Sequence, residues 1–233
     1  MTAAPRPAGR APARVGILGG TFDPVHLGHL RMAECLRETF SLDRLLFIPA
    51  AMPPHKPGRR ITPGEIRLEM IRAAIADHGA FEACDLELAR GGPSYSVESL
   101  EALRERFGPK AELYFAMGSD QFAEIETWKE WRRIFTLTHV VVVARPGEKP
   151  GAIARVLPVE AEGSFCYHST DDSFRHDSGM KVFFRDVGAL PISSTGIRAL
   201  AREGRSIRYL VPEGVRELIT RHGLYSGPES GAE

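Results

Sequence analysis

The chain of 233 residues is 43% hydrophobic and 26% charged, enough apolar material for one large core or, less simply, two small ones, which excludes a disordered or low-complexity chain. Thirty basic residues offset thirty acidic ones, so no global field draws the chain to nucleic acid or to an anionic membrane, and any phosphate site has to be local. Cys35, Cys84 and Cys166 lie far apart without a CxxC or a histidine cluster, which argues against a disulfide framework or a zinc site and fits a reducing cytoplasm.

The opening MTAAPRPAGRAPA, residues 1–13, lacks the apolar centre of a secretory signal and reads as a disordered basic tail. No apolar stretch approaches the roughly 18 residues that span a bilayer. Strand-length runs recur at 15–18, 45–48, 81–88, 112–117 and 140–144. After the first, Leu27, Leu30, Ala33, Leu36 and Phe40 form an amphipathic stripe. After the second, Thr62, Pro63 and Glu65 read as a capping-box start leading into Ile66, Met70 and Ile75. Ser96 can cap a third helix that Gly108-Pro109 ends, and 121–135 reads as helical too. Residues 147–180 lack periodicity and read as a surface excursion. The run 182–187 returns to the sheet, and helices follow at 194–203 and at 212–222, closed by Gly223.

Strands alternating with helices predict an α/β, Rossmann-like open sheet, mostly parallel, with helices on both faces and a small C-terminal helical part. Residues 14–225 are expected to form a single domain, with 226–233 a loose tail. Ligands of such sheets sit beyond the carboxyl ends of the strands.

GGTFDPVHLGHL follows the first strand directly. Gly19 and Gly20 let backbone approach a ligand, the helix start offers free N–H groups, and His26 and His29, three apart, share one face and can bond the same phosphate. Taken singly, the glycines also suit a tight turn and the histidines a solvated cap or metal ligands. GxxxxGK[ST] and GxGxxG are missing, which argues against a P-loop and the common dinucleotide fingerprint. Ser193, Ser194 and Thr195 precede a helix and Arg198 lies one turn in, a second phosphate-binding arrangement that plain capping also explains. Gly118 and Asp120 follow the fourth strand, where a carboxylate accepts ribose hydroxyls or caps a helix. His55 and Lys56, in the proline-rich loop after the second strand, suit either charge over phosphates or simple solvation.

HLGH resembles the HxGH signature of the nucleotidylyltransferase superfamily, and ISSTGIR at 192–198 resembles its second signature, ISSTxxR. PPHK (53–56), PSYSVESL (93–100), MGSD (117–120), TWKEW (127–131) and ARPG (144–147) make the chain similar, from Val15 to Tyr225, to the bacterial nicotinate mononucleotide adenylyltransferases. It departs from them in the extra tail and in a longer, more polar 158–180. The resemblance implies a nucleotide site of Gly19, Gly20, Thr21, Phe22, His26, His29, Lys56, Gly118, Asp120, Ser193, Ser194, Thr195 and Arg198, with His26, His29 and Arg198 catalytic. It places Trp128 on the pyridine ring, with His55, Tyr95 and Ser96 beside it, and gives Trp131 to packing. It implies ATP and nicotinate mononucleotide as substrates and Mg²⁺ held mainly by the ATP phosphates. Other acceptors (nicotinamide mononucleotide, phosphopantetheine, flavin mononucleotide), cytidylyl transfer and a non-catalytic nucleotide sensor are the rivals, and homo-oligomer formation stays open.

Overall fold

The valine run near the middle of the chain shows how the sheet is buried. In β5 (His139–Val143), Val141 and Val143 enter one core cluster while Val140 and Val142 enter the other, so an unbroken apolar run serves both faces. The same division separates Leu18 from Val15 and Ile17 in β1 (Arg14–Gly20), and Ala116 from Phe115 and Met117 in β4 (Glu112–Gly118). The computed structural model describes residues 13–53, 61–144, 157–188 and 190–226.

Eight strands form one sheet in the order β3-β2-β1-β4-β5-β8-β7-β6, where β2 is Arg44–Pro49, β3 Phe81–Ala83, β6 Phe165–His168, β7 Ser173–His176 and β8 Lys181–Arg185. Strands β1 to β5 and β8 pair in parallel, and β7 pairs antiparallel with both β8 and β6. One face carries α1 (Leu27–Phe40) and α2 (Gly64–Ala74) with the C-terminal pair α7 (Ser194–Arg202) and α8 (Glu213–Arg221). The other carries α4 (Ser96–Phe107) and α6 (Trp131–Leu137). The expected α/β, mostly parallel architecture is the one observed, and no helix among the described residues is long and apolar enough to cross a membrane.

Several local expectations are corrected. The run 81–88 is a strand only to Ala83; α3 (Leu86–Arg90) follows, because LELAR consists of strong helix formers. Pro63, not Thr62, is the N-cap of α2, without a side-chain cap, and Ser96 is the first residue of α4, not its cap. The stretch 121–135 is broken into α5 (Ser119–Ala123), a 3₁₀ turn (Ile125–Thr127) and α6. The break falls where Trp128 turns extended and Glu130 adopts φ 49°. Within 147–180, the part from 157 on is not merely an excursion: a hairpin, β6–β7, lengthens the sheet beyond β8.

Candidate active site

The strand order reverses between β1 and β4, and a crevice opens beyond their carboxyl ends, as the topology requires. It encloses about 720 Å³. From the end of β1 it takes Gly19, Gly20, Thr21 and Phe22, from α1 His26 and His29, from the end of β4 Gly118 and Asp120, and from the start of α7 Ser193, Ser194, Thr195 and Arg198. Trp128 lines it too, and also lines a neighbouring cavity of about 320 Å³ with Tyr95, Ser96 and Lys129. His55 and Lys56 lie outside the described residues.

His26 is the N-cap of α1 and His29 its third residue, so the HxGH spacing stacks the two rings, with centroids 3.7 Å apart. The His26 N–H donates to His29 Nδ1 (3.2 Å), which fixes the neutral ring of His29 as the Nε2–H tautomer, a donor. His26 Nδ1 is buried without a partner; a bare lone pair is the cheaper thing to leave there, so its proton also belongs on Nε2. Gly28 leaves room for the stack, since a Cβ there would crowd His26 Nδ1 at 3.0 Å. The ring of Phe22 stands edge-on to His29 at 5.0 Å.

The two signatures are bonded to each other. Arg198 Nη1 donates to the Asp23 carbonyl (2.5 Å) and Nη2 to Thr195 Oγ1 (3.0 Å), while Ser194 Oγ donates to the Pro24 carbonyl (2.9 Å). Ser193 caps α7, its Oγ accepting from the Gly196 N–H. These hydroxyls hold the turn in shape, and of the first N–H groups of α7 those of Ser194 and Thr195 are left for an anion, since that of Gly196 is taken by the cap. At the end of β4, a Cβ on residue 118 would lie 2.6 Å from Asp120 Oδ1, so glycine there lets the carboxylate stand close beside the strand end. The Tyr95 N–H is taken by the Pro93 carbonyl (3.2 Å), so the free donors at that helix start begin with Ser96. Trp131 is buried, edge-on to Phe135, and Trp128 is half-buried at the cavity wall.

Sequence reasoning missed Asp23, Tyr225 and Arg67. Asp23 is buried, with Oδ1 accepting from the Tyr225 hydroxyl (2.6 Å) and Oδ2 from the Thr62 N–H (3.3 Å). Burial and then the Asp23 charge push the Tyr225 phenol upward. No local pattern announces that pair, but Arg67 carried a signal: it stands at i−3, i−4 and i−7 from Met70, Ile71 and Ala74, a charge on an apolar stripe.

Burial holds the His26 pKa down to about 4, and burial followed by the His26 charge holds His29 well below the usual histidine range, so both rings are neutral donors at pH 7. His139, on β5, is likewise lowered to about 4 by burial. Because these folded-state values lie below the unfolded value of 6.5, the unfolded chain takes up more protons between pH 6.5 and about 4. Their stabilising effect is full above that window and is lost as pH falls through it. Thermal unfolding should therefore show a midpoint that declines steadily below pH 6.5. His139→Asn, which keeps an acceptor for the Lys181 N–H (3.0 Å), should flatten that decline by about one proton. An unchanged slope would refute the assignment.

Among the described residues no group of three or more His, Cys, Asp or Glu forms a metal-binding cluster. The carboxylates lining the crevice are Asp23, Asp120 and Glu124, and Asp23 has committed both oxygens to hydrogen bonds.

Comparison with known proteins matches residues 17–200 to the family described as cytidylyltransferase-like. Two relatives carry the name "Probable nicotinate-nucleotide adenylyltransferase". That of Syntrophotalea carbinolica is 50% identical over 216 residues, 93% of this chain and 99% of its own. That of Geobacter sulfurreducens is 47% identical over 213 residues, 91% of this chain and 98% of its own. In fold the chain is similar to the Plasmodium falciparum nicotinic acid mononucleotide adenylyltransferase solved with NaAD, with TM-score 0.68 at 16% identity, covering 91% of this chain and 97% of that one.

Proposed function

The chain belongs to the cytidylyltransferase-like family, and from that premise we propose the reaction its crevice serves. It transfers the adenylyl group of ATP to nicotinate mononucleotide, giving nicotinate adenine dinucleotide and pyrophosphate, a step of NAD biosynthesis. The observation that carries the reading is the meeting of both signatures, the Gly118–Asp120 corner and Trp128 on one cavity.

A phosphate oxygen of the mononucleotide attacks the α-phosphorus of ATP, the bond from that phosphorus to the bridging oxygen of the β-phosphate breaks, and pyrophosphate departs with the electron pair. The nucleophile is already ionised at pH 7, so no catalytic base is needed, and the protein's work is alignment and charge stabilisation. His26 and His29 donate through Nε2–H to the transferring phosphate, and Arg198 with the α7 N–H groups receives the leaving oxygens. Asp120 takes the adenylyl ribose. Trp128 stacks on the pyridine, whose carboxylate meets the N–H groups from Ser96 on. The committed oxygens of Asp23 suit Mg²⁺ carried in on the triphosphate, where it neutralises phosphate charge. Residues 14–225 act as one domain, a reading supported by the bond from Tyr225 back to Asp23, and the setting is the cytoplasm.

Pyrophosphate release with ATP and a panel of acceptors tests this: nicotinate mononucleotide should support turnover well above nicotinamide mononucleotide, phosphopantetheine or flavin mononucleotide. No release with any acceptor would sink the proposal. Trp128→Ala should raise KM for the mononucleotide about tenfold, in line with one lost stacking contact, and KM for ATP far less. An equal rise in both would remove Trp128 from the pyridine pocket.

A further inference from the structure

Arg67 is 1% exposed on α2 and lines neither cavity. Such a buried charge needs compensation, and although the Asp23 and Glu87 charges favour its ionised form, neither carboxylate accepts one of its hydrogen bonds. Here its three donor groups go to three backbone carbonyls from separate segments: Nε to Thr62 (2.8 Å), Nη1 to Thr21 (2.7 Å) and Nη2 to Ala50 (2.7 Å). One of these, Thr21, belongs to the turn between β1 and α1 that carries the first signature.

That turn contains a strained residue. Phe22 has φ 49°, a conformation bulky side chains rarely adopt unless their surroundings impose it. Two arginines from different helices bond the carbonyls on either side of it: Arg67 holds that of residue 21, and Arg198 that of residue 23. Across a trans peptide the C=O and the next N–H point in opposite directions. Anchoring the Thr21 oxygen on Arg67 therefore turns the Phe22 N–H away from α2. It also seats the Phe22 ring, which is 3% exposed and stands edge-on to His29.

We propose that Arg67 is a positioning residue for adenylyl transfer, acting through Thr21 and Phe22 to aim a backbone donor and to seat His29 without touching either nucleotide. Lysine cannot replace it, because one ammonium cannot span three carbonyls as a planar guanidinium does. The proposal rests on the adenylyl-transfer reading above.

The test compares full-length Arg67→Lys with Leu103→Ala, a control that empties a fully buried site on the opposite face of the sheet. Both are assayed with ATP and nicotinate mononucleotide at about 20 °C, well below the usual unfolding midpoints, and both are melted. Arg67→Lys is expected to lose kcat by about 10- to 100-fold, as a misplaced catalytic group does. Its KM for ATP should move less than about threefold, since the ribose end is untouched. Leu103→Ala, with an equal or larger fall in midpoint, should keep kcat within about twofold, because its cavity lies away from the reacting groups. Arg67→Lys with wild-type kcat would overturn the proposal. So would an equal loss of kcat in Leu103→Ala, or an Arg67→Lys chain that does not fold at the assay temperature, either of which makes Arg67 plain scaffold. A wild-type chain that releases no pyrophosphate would instead refute the parent reading, so the two failures are distinguishable.

Discussion

Replacing His29 with alanine is expected to lower kcat by about 10²- to 10³-fold, the usual loss when one preorganised donor to developing charge is removed. The ring is held by a bond to the His26 N–H, by stacking on His26 and by the edge of Phe22, and it is neutral at pH 7. It therefore costs little to reorganise when the phosphate charge shifts. Its structural contribution is small by comparison: the His26 N–H would turn to water or to a neighbour, a loss of about 1 kcal/mol, comparable to that of a helix cap. That corresponds to a fall in midpoint of about 2–4 °C for a chain of this size. Steady-state kinetics beside a thermal melt would separate the two contributions. A fall of many degrees with only proportionate loss of activity would assign His29 to the scaffold.

Arg198→Lys should cost more, about 10³-fold in kcat/KM, because the guanidinium has two tasks that an ammonium cannot combine. It is 7% exposed, and it bonds at once to the Asp23 carbonyl and to Thr195 Oγ1, joining the first signature to the second. Lysine would keep the charge near the leaving phosphates but release one side of this junction. The melt should fall by several degrees, since a buried carbonyl or hydroxyl would lose its donor. Retention of activity within about fivefold would mean that charge alone suffices there and that the fork geometry is idle.

The parts of this protein that could be read from sequence are those whose cause is local. The valine run announces a strand buried on both faces, and HLGH announces two imidazoles on one side of a helix start, because periodicity and spacing fix both. Where neighbours decide, local reading fails. The residues of 121–135 look helical, yet the chain breaks at 125–130 while Phe122, Ile125, Trp131, Ile134 and Phe135 all enter one core cluster, with Phe122 edge-on to Phe135, and the break leaves Trp128 at the cavity wall. The strands of the hairpin β6–β7, FCYH and SFRH, are only four residues each, too short for a clear alternation, and the pairing of β7 along β8 is what joins them to the sheet. The glycine of HLGH carried no separate reading in the sequence. Its actual use is room for an imidazole. Arg67 could be noticed on its stripe but not explained, since its three acceptors come from three segments.

The bond from Tyr225 to Asp23 closes a loop of 202 residues. During synthesis both signatures leave the ribosome before this tyrosine does. A nascent chain that already holds every proposed phosphate-binding group still lacks the hydroxyl that fixes the buried carboxylate behind them, and α8, which brings that hydroxyl home, has yet to dock. Docking of Tyr225 and completion of that turn are thus one event. A chain stopped after residue 205 is expected to bear both motifs and turn over neither nucleotide.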